Sequence, residues 1–204
     1  MERCQVCRAN AQYRDRATGE YVCLSHARLE VTSTQRSWPT RGGTRDFTLR
    51  PATEADTDQI EALSLHFWEE TEVDCFDRQY DVTTCPAFVA CARECTVGLA
   101  SYALEPTWNA AVLVMLNVLP HWQGQRVGHA LVEAVGVEAM RQGLGRVVVV
   151  TSNDDLPALA FYQRHGFRIT GIVPGRIAEH HGGEVAGFAG LPVRDEIRLE
   201  RVLR

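Results

Sequence analysis

The sequence contains no lysine and no long apolar run. All 21 basic side chains are arginines, set against 26 aspartates and glutamates, so the formal net charge is −5. This balance argues against a general nucleic-acid or anionic-membrane surface, since both need excess positive charge. No apolar run approaches the roughly 20 residues that cross a bilayer, and the first residues lack the apolar core of a signal peptide. We therefore expect a cytoplasmic protein without a membrane or nucleic-acid partner.

Composition divides the chain into three regions. Hydrophobic residues make up 45% and charged residues 23%, which is typical of a globular protein. Residues 1–30 are too few to build a stable hydrophobic core without a disulfide or a bound metal ion. Residues 31–46 are polar and contain Pro39, Gly42 and Gly43, which predicts a linker. From residue 47 to residue 204 the pattern indicates one mixed α/β domain.

Residues 1–30 carry two pairs of metal-ligand residues separated by 15 residues. A Cys-x-x-Cys pair followed by Cys-x-x-His can complete a tetrahedral Cys₃His zinc site, and reduced thiols at this spacing favour zinc over disulfides. The four ligands would be Cys4, Cys7, Cys23 and His26. The pattern resembles a small zinc-finger or zinc-ribbon module with a structural zinc. Unrelated thiols remain the alternative. A structural or protein-docking role fits the mixed charges between the pairs better than nucleic-acid binding.

Hydrophobic periodicity predicts an alternation of strands and helices after the linker. Strands are expected at 47–50, 87–91, 96–104, 110–118, 146–151, 167–173 and 196–203. Helices are expected from 53 or 56 to about 70, from 127 to about 142, and over 156–165. Asp154 or Asp155 is expected to cap the last of these helices. The four cysteines beyond the linker are expected to be buried thiols.

A strand, a turn and a helix start follow one another over residues 116–131. A helix N-terminus offers unpaired backbone N–H groups and a positive dipole end, which together bind anions. Gly124 and Gly128 permit a phosphate to approach the main chain. A glycine-containing turn that binds nothing is the alternative interpretation.

This turn resembles the acetyl-CoA pyrophosphate loop of the GCN5-related N-acetyltransferase (GNAT) superfamily, with the pattern Gln/Arg-x-x-Gly-x-Gly/Ala. Arg126 replaces the first glycine of the pattern, and a guanidinium can itself pair with phosphate. The resemblance implies that the pantetheine arm pairs with the backbone of the preceding strand. The implied cofactor-binding residues are Leu116, Asn117, Val118, Gln123, Gly124, Gln125, Arg126, Val127, Gly128 and His129.

A second candidate segment follows the valine-rich strand at 146–151. The amide of Asn153 can both donate and accept hydrogen bonds, as the amide-bearing pantetheine needs. Tyr162 lies nine residues later and could protonate a thiolate leaving group. A turn asparagine and a packed helix tyrosine are the alternatives. The segment resembles the superfamily's Asn-x-x-Ala-x-x-Phe-Tyr-x-x-x-Gly-Phe motif, which implies that Asn153 contacts CoA and that Tyr162 is the general acid.

The resemblance covers about residues 47–204 and implies a GNAT-type mixed, mostly antiparallel sheet flanked by helices. It implies transfer of an acetyl or related acyl group from acetyl-CoA to a primary amine, on a small molecule or a protein, by direct attack in a ternary complex. An acyl-CoA-binding regulatory module without turnover is the alternative, and a homodimer is left open. The candidate general bases are unranked: Glu69, Glu70, Glu72, His121 and Glu196.

Overall fold

The computed structural model describes residues 13–14, 21–22, 46–68, 70–92, 95–180, 182–183 and 185–204. The candidate zinc ligands at positions 4, 7, 23 and 26 lie outside these ranges. Within them, no group of three or more histidine, cysteine or carboxylate side chains is arranged to hold a metal ion. None of the helices in these ranges is long and apolar enough to cross a membrane.

The described part of the chain forms a mixed α/β structure. Its strands are β1 (Tyr13–Arg14), β2 (Tyr21–Val22), β3 (Thr48–Pro51), β4 (Glu72–Cys75), β5 (Arg78–Asp81), β6 (Ala87–Ala92), β7 (Cys95–Glu105), β8 (Ala110–Val118), β9 (Arg146–Ser152), β10 (Arg168–Val173), β11 (Val185–Ala186), β12 (Pro192–Val193) and β13 (Glu196–Val202). Its α-helices are α1 (Thr57–Trp68), α2 (Val127–Arg141), α3 (Leu156–Arg164) and α4 (Arg176–His180).

Seven of these strands form one sheet in the order β10-β13-β9-β8-β7-β6-β3. Strands β8 and β9 run parallel. The pairs β10–β13, β13–β9, β3–β6 and β6–β7 are antiparallel. The expected mixed, mostly antiparallel sheet with helices is thereby confirmed. Three short pairs lie outside this sheet, namely β1–β2, β4–β5 and β11–β12.

The chain divides into two compact units, which are described separately. The first contains the described residues up to Asp74, together with Gln79–Tyr102 and Met115–Val135. The second contains Cys75–Arg78, Ala103–Val114 and Gly136–Arg204. The candidate pyrophosphate loop therefore belongs to the first unit, and Asn153 and Tyr162 belong to the second.

In the first unit, the start of α2 packs tightly on β7. A Cβ atom at Gly98 would stand 2.8 Å from Cγ1 of Val127 and 3.0 Å from Cδ1 of Leu131. Val127 and Leu131 are almost fully buried. Since any larger residue at 98 would push the first turn of α2 outward, this glycine sets the height of that helix end above the sheet.

In the second unit, β9 and β13 supply the core through alternating side chains. Val147 and Val149 of β9 and Ile197 and Leu199 of β13 are buried. Val149 and Leu199 are register partners in the antiparallel ladder. Residues of one strand alternate between the two faces of a sheet, so these four side chains share one face.

The predicted strand at 110–118 matches β8 at both ends, and the other predicted elements are each found within a few residues of their expected bounds. The expectation for the cysteines is only partly correct. Cys75, Cys85, Cys91 and Cys95 are free thiols, but Cys75 alone is fully buried and the others are half-buried. The three half-buried thiols lie in a loop and near the ends of strands β6 and β7, next to the more deeply buried middle of each strand.

Candidate functional site

In the first unit, β8 leads into the candidate loop through a buried asparagine. Asn117 is 7% exposed, whereas Leu116 and Val118 on either side are half-buried. The Oδ1 atom of Asn117 accepts a hydrogen bond of 3.0 Å from Nε1 of Trp68, the last residue of α1. Its Nδ2 atom is buried and has no hydrogen-bond partner among the described residues.

The loop from 119 to 126 is held at its buried side and exposed at the other. Leu119 is fully buried, and its N–H donates to the carbonyl of Val97 at 3.0 Å. A 3₁₀ helix over Pro120–Trp122 follows and buries Trp122. The side chain of Gln123 returns to the end of β8, because its Nε2 donates to the carbonyl of Val118 at 3.1 Å. These contacts fix the loop between the strand and α2.

Arg126 adopts the backbone conformation that glycine favours. Its φ is +67°, and the φ of Gly124 is +74°. A non-glycine residue in this left-handed region carries about 1–2 kcal/mol of strain. Arg126 is exposed, and its carbonyl accepts the first helical hydrogen bond of α2 from the N–H of Ala130 at 3.0 Å. The arginine in the place of the pattern's glycine therefore keeps the turn that leads into the helix.

The first turn of α2 is suited to an anion. It contains no acidic residue, and the backbone N–H groups of a first turn have no partner within their helix. Gly128 and His129 are half-buried, and Val127 is buried. The nearest carboxylate on the helix, Glu133, lies 4.0 Å from the imidazole of His129, one turn later. An exposed guanidinium at 126 adds positive charge at the same end.

In the second unit, the side chain of Asn153 is used to hold a distant part of the chain. Its Nδ2 donates to the carbonyl of Pro192 at 2.8 Å, and its Oδ1 accepts from the N–H groups of Arg194 and Asp195, both at 2.8 Å. One of the two N–H bonds of the amide remains for another partner. The predicted contact with pantetheine would have to use that N–H.

Asp154 and Asp155 have separate tasks. Asp155 is the N-cap of α3, and its Oδ1 accepts from the N–H of Ala158 at 3.0 Å. Asp154 is buried and accepts from the N–H of Phe188 at 2.9 Å. A Cβ atom at Gly187 would stand 2.1 Å from Oδ2 of Asp154 and 2.6 Å from Cγ2 of Val193. Asn153 and Asp154 together therefore tie residues 187–195 to the end of β9.

Tyr162 is buried in α3 and keeps its proton. Its ring makes edge contacts with Phe161 and Phe167, with centroids 5.4 and 5.3 Å apart. Burial raises the pKa of Tyr162 above its ordinary value, and the negative charges available at Asp155 and Cys75 raise that pKa further. The phenol is accordingly neutral at pH 7 and above, as a proton donor must be.

The structure separates the candidate bases by burial. Glu69 lies outside the described residues, Glu72 is exposed, and Glu70 and His121 are half-buried. Glu196, the first residue of β13, is 4% exposed and is the one buried carboxylate among the described candidates. Its Oε1 accepts a hydrogen bond of 2.5 Å from Nε of Arg198. Its register partner is Ser152, the residue before Asn153.

A separate cavity of about 470 Å³ opens in the second unit on β8, β9, β10 and β13. Phe76, Trp108, Arg146 and Arg198 are among its lining residues. None of the predicted site residues lines it. Its guanidinium groups are paired with carboxylates, Arg146 with Glu200 at 2.8 Å and Arg198 with Glu196 at 2.5 Å. The cavity is therefore not the candidate site.

Sequence reasoning missed the partners that hold the predicted residues. Trp68 lies 49 positions before its partner Asn117. The partners of Asn153 in the 187–195 segment lie about 40 positions after it. No spacing pattern connects residues so far apart. The exposed Trp68 at a helix end was the one available signal, because an indole N–H that is brought to a strand usually finds an acceptor.

Comparison with known proteins gives a consistent family assignment. The model of the family described as "Acetyltransferase (GNAT) family" matches residues 53–167. The uncharacterized protein YxbD of Bacillus subtilis is 29% identical over 112 residues, which are 53% of this chain and 68% of that protein. A mycothiol acetyltransferase of Jonesia denitrificans is 38% identical over 71 residues, 35% of this chain and 23% of that enzyme.

Solved structures share the fold at low sequence identity. The IAA acetyltransferase from Bacillus cereus has a TM-score of 0.62 at 22% identity, covering 78% of this chain and 100% of its own. A GNAT family acetyltransferase from Elizabethkingia anophelis, solved with acetyl-CoA bound, has a TM-score of 0.61 at 20% identity, covering 77% and 98%. These similarities cover a larger share of the chain than residues 53–167, which the family model matches.

Proposed function

The chain belongs to the acetyltransferase (GNAT) family and is an acyltransferase, and from this premise we propose that it moves an acetyl group from acetyl-CoA to a primary amine by direct attack in a ternary complex. The observation that carries the proposal is the conformation of the loop before α2. Arg126 has a φ of +67° where the family pattern has a glycine. The departure from the pattern therefore leaves the turn in place, and the open N-terminus of α2 remains available for a pyrophosphate.

We assign the donor half to main-chain groups. The pyrophosphate would bind along residues 123–129, through the guanidinium of Arg126 and the main-chain N–H groups that the loop does not use. The N–H groups of Gln123 and Gln125 already donate to carbonyls of the loop. The pantetheine arm would pair with the backbone of Leu116, Asn117 and Val118. The four-pair ladder between β8 and β9, from Ala110–Arg146 to Leu113–Val149, supports this assignment because it ends before those three residues. Asn153 would donate its remaining N–H to the pantetheine.

The chemistry follows from these groups. The amine nitrogen attacks the thioester carbonyl and forms the new C–N bond, and the resulting oxyanion is stabilised by backbone N–H groups. Collapse of the tetrahedral intermediate breaks the C–S bond. The departing sulfur takes a proton from the phenol of Tyr162. The resulting phenolate then regains a proton that comes from solvent. Because burial keeps the pKa of Tyr162 high, the proton moves only as negative charge develops on the sulfur.

We propose Glu196 as the group that accepts the proton from the amine. It is the one buried carboxylate among the described candidates, and its hydrogen bond to Arg198 holds one of its oxygens in place. The other oxygen is left for a proton or a bridging water. Glu196→Gln should lower kcat by about 100-fold and leave the acetyl-CoA Kd within about twofold. An unchanged kcat would remove Glu196 from the mechanism.

Two measurements test the function itself. Isothermal titration with acetyl-CoA and CoA should show binding, and release of free thiol in the presence of an amine panel should show turnover. Binding without thiol release for every amine would favour the regulatory alternative. Absence of binding would reject both.

We further propose that residues 1–30 form a zinc module joined by a linker at 31–46. The proposal depends on the spacing of Cys4, Cys7, Cys23 and His26, which lie outside the described residues. The ligand set of three thiolates and an imidazole is one that zinc prefers. Elemental analysis should find about one zinc per chain, and Cys4→Ser combined with Cys7→Ser should abolish it. Zinc retained by the double variant would contradict the assignment.

A further inference from the structure

Asn117 carries a buried donor without a partner. Its side chain is 93% buried, since 7% is exposed, and Nδ2 makes no hydrogen bond with any described residue. Leaving a buried donor unsatisfied costs about 1–3 kcal/mol. A leucine of nearly the same size would avoid that cost. The asparagine therefore lowers the free energy of unfolding, which is expected where a polar group binds a ligand.

The contact with Trp68 fixes the direction of this donor. An indole nitrogen can only donate a hydrogen bond, so the atom 3.0 Å from Nε1 of Trp68 must be the oxygen of the amide and not its nitrogen. The two alternative orientations of the amide are thereby reduced to one. Nδ2 is turned away from Trp68, and its N–H bonds are held in a defined position.

The side chain of Asn117 contacts a different helix from the one that follows the loop that we assign to CoA. Its oxygen contacts the end of α1, whereas the proposed pyrophosphate loop precedes α2. The last turn of α1 also exposes Trp68 and Phe67, at 44% and 37%. A molecule that lies against the exposed ring of Trp68 is therefore next to the residue that holds the Asn117 amide.

We infer that Asn117 donates a hydrogen bond to an oxygen of the acyl acceptor and that Trp68 is its positioning residue. This inference depends on the proposed function. The acceptor class is a primary amine with a carbonyl oxygen on the neighbouring carbon and an apolar side group. A carbonyl suits the site because it only accepts hydrogen bonds, and the exposed aromatic rings of α1 suit the apolar group.

Matched amines test the inference. Phenethylamine is compared with L-phenylalaninamide, and isoamylamine with L-leucinamide, by release of free thiol from acetyl-CoA. The measured quantity is the kcat/KM of the amine that carries the carboxamide divided by the kcat/KM of its partner without it. This ratio is compared between the wild type and each variant, so that intrinsic differences between the two amines cancel. Asn117→Leu should lower this ratio by about three- to tenfold, the worth of one neutral hydrogen bond. Trp68→Phe, which keeps a ring but removes the indole N–H, should lower it by about two- to threefold.

Ser101→Ala is the matched control. Ser101 is fully buried on β7, and its hydroxyl also has no partner among the described residues. Its removal should leave the ratio unchanged. Thermal unfolding adds an independent readout, because Asn117→Leu should raise Tm by about 2–4 °C if the unpartnered donor costs about 1 kcal/mol. A structural asparagine would give a lower Tm instead.

The outcomes separate this inference from the function on which it depends. If Asn117→Leu acetylates both amines of a pair with an unchanged ratio, the inference is wrong and the function stands. If the wild type acetylates only the amines without a carbonyl, the inference is again wrong. If the wild type binds acetyl-CoA but acetylates no amine, the proposed function fails and this inference fails with it. Should Asn117→Leu not fold, the ratio for Trp68→Phe decides.

Discussion

The N-termini of α2 and α3 both follow a strand of the parallel pair β8–β9, but the protein treats them differently. The first turn of α3 is capped by the carboxylate of Asp155, which accepts from the N–H of Ala158. The first turn of α2 contains no acidic residue and follows Arg126, a cation. A capped helix end has its positive pole neutralised, whereas an uncapped one remains an anion site. Of these two similar strand–loop–helix segments, only the one that contains α2 has a helix N-terminus open to a phosphate.

The segments before these helices differ in the same way. The loop before α2 exposes Gln123, Gly124 and Arg126. Before α3, Asn153 and Asp154 direct their side chains to residues 188–195. The loop of the first unit thus leaves its residues exposed, whereas in the second unit the side chains of Asn153 and Asp154 hold another segment of the chain.

The largest expected effect concerns the side-chain chemistry of the second unit. Tyr162→Phe should lower kcat by about 100-fold or more, the usual worth of a positioned proton donor, and leave the acetyl-CoA Kd within about twofold. Because burial raises the pKa of Tyr162, the wild type should lose no activity through its deprotonation below pH 10. Thiol release measured from pH 6 to pH 10 and isothermal titration check both points.

Tyr102→Phe is the control for loss of a phenol hydroxyl. Tyr102 is 7% exposed on β7 and stacks on Phe88 at 5.7 Å. Its variant should keep full activity. If Tyr162→Phe weakens acetyl-CoA binding as much as it slows turnover, the tyrosine binds the cofactor and is not the acid.

Giving α2 the cap of α3 should abolish the difference between the two helix ends. Arg126→Asp places a carboxylate next to the proposed pyrophosphate and removes the guanidinium. The acetyl-CoA Kd should rise by about 30- to 100-fold, equivalent to about 2–3 kcal/mol. Two ligands distinguish the cause, namely desulfo-CoA, which keeps the pyrophosphate, and pantetheine, which lacks it. Only desulfo-CoA should lose affinity for the variant.

Arg126→Gly and Arg126→Ala form the matched pair for this position. Glycine removes the strain of a φ of +67°, while alanine keeps the strain, and both remove the charge. The two should weaken acetyl-CoA binding equally, by about three- to tenfold, but the glycine variant should unfold at a higher temperature than the alanine variant. Equal unfolding temperatures would contradict the left-handed conformation.

Loss of the amide at 153 should mainly destabilise the protein. Asn153→Ala removes three hydrogen bonds of 2.8 Å to residues 192–195, so the free energy of unfolding should fall by about 2 kcal/mol. The comparison variant is Asp154→Ala, which loosens the same segment through Phe188. If Asn153 also contacts pantetheine, its variant alone should raise the acetyl-CoA Kd, by about three- to tenfold. Denaturant unfolding and titration separate the two effects.

The smallest expected effect comes from uncapping α3. Asp155→Ala should lower the free energy of unfolding by about 1 kcal/mol and leave acetyl-CoA binding unchanged. Chemical denaturation measures the first and titration the second. Tighter binding of acetyl-CoA by this variant would mean that the α3 terminus also attracts the phosphates, and the contrast between the two helix ends would be lost.

The sequence predicted the elements whose signals are local. Four consecutive valines indicated β9, and the apolar run ending at Pro120 indicated β8 with its correct bounds. It did not predict the β4–β5 hairpin. That turn places Phe76 and Asp77 at φ values of +53° and +63°, where Asn-Gly or Asp-Gly is the usual signal. A phenylalanine in this position has no turn preference, so only tertiary contacts such as Arg198 over its ring, at 5.3 Å, favour the conformation.

The prediction of the site also depended on local signals. The two motifs predicted the loop, Asn153 and Tyr162 as site residues, because each pattern is continuous in sequence. The left-handed conformation of Arg126 could not be foreseen, since arginine rarely adopts it. The partners of Asn153 and Asn117 lie about 40 and 49 positions away. Contacts between such distant residues are set by sheet order and helix packing, which residue spacing does not encode.

The tight fit between Gly187 and Asp154 also constrains how this protein can diverge. Any side chain at 187 would overlap both the carboxylate of Asp154 and the methyl group of Val193. Two positions 33 residues apart are therefore expected to change together or not at all in descendants of this sequence. A lineage that exchanges Asp154 for a smaller residue would gain freedom at 187, and with it a route to a reshaped 187–195 segment. Divergence of a partly exposed segment would thus begin at a buried carboxylate.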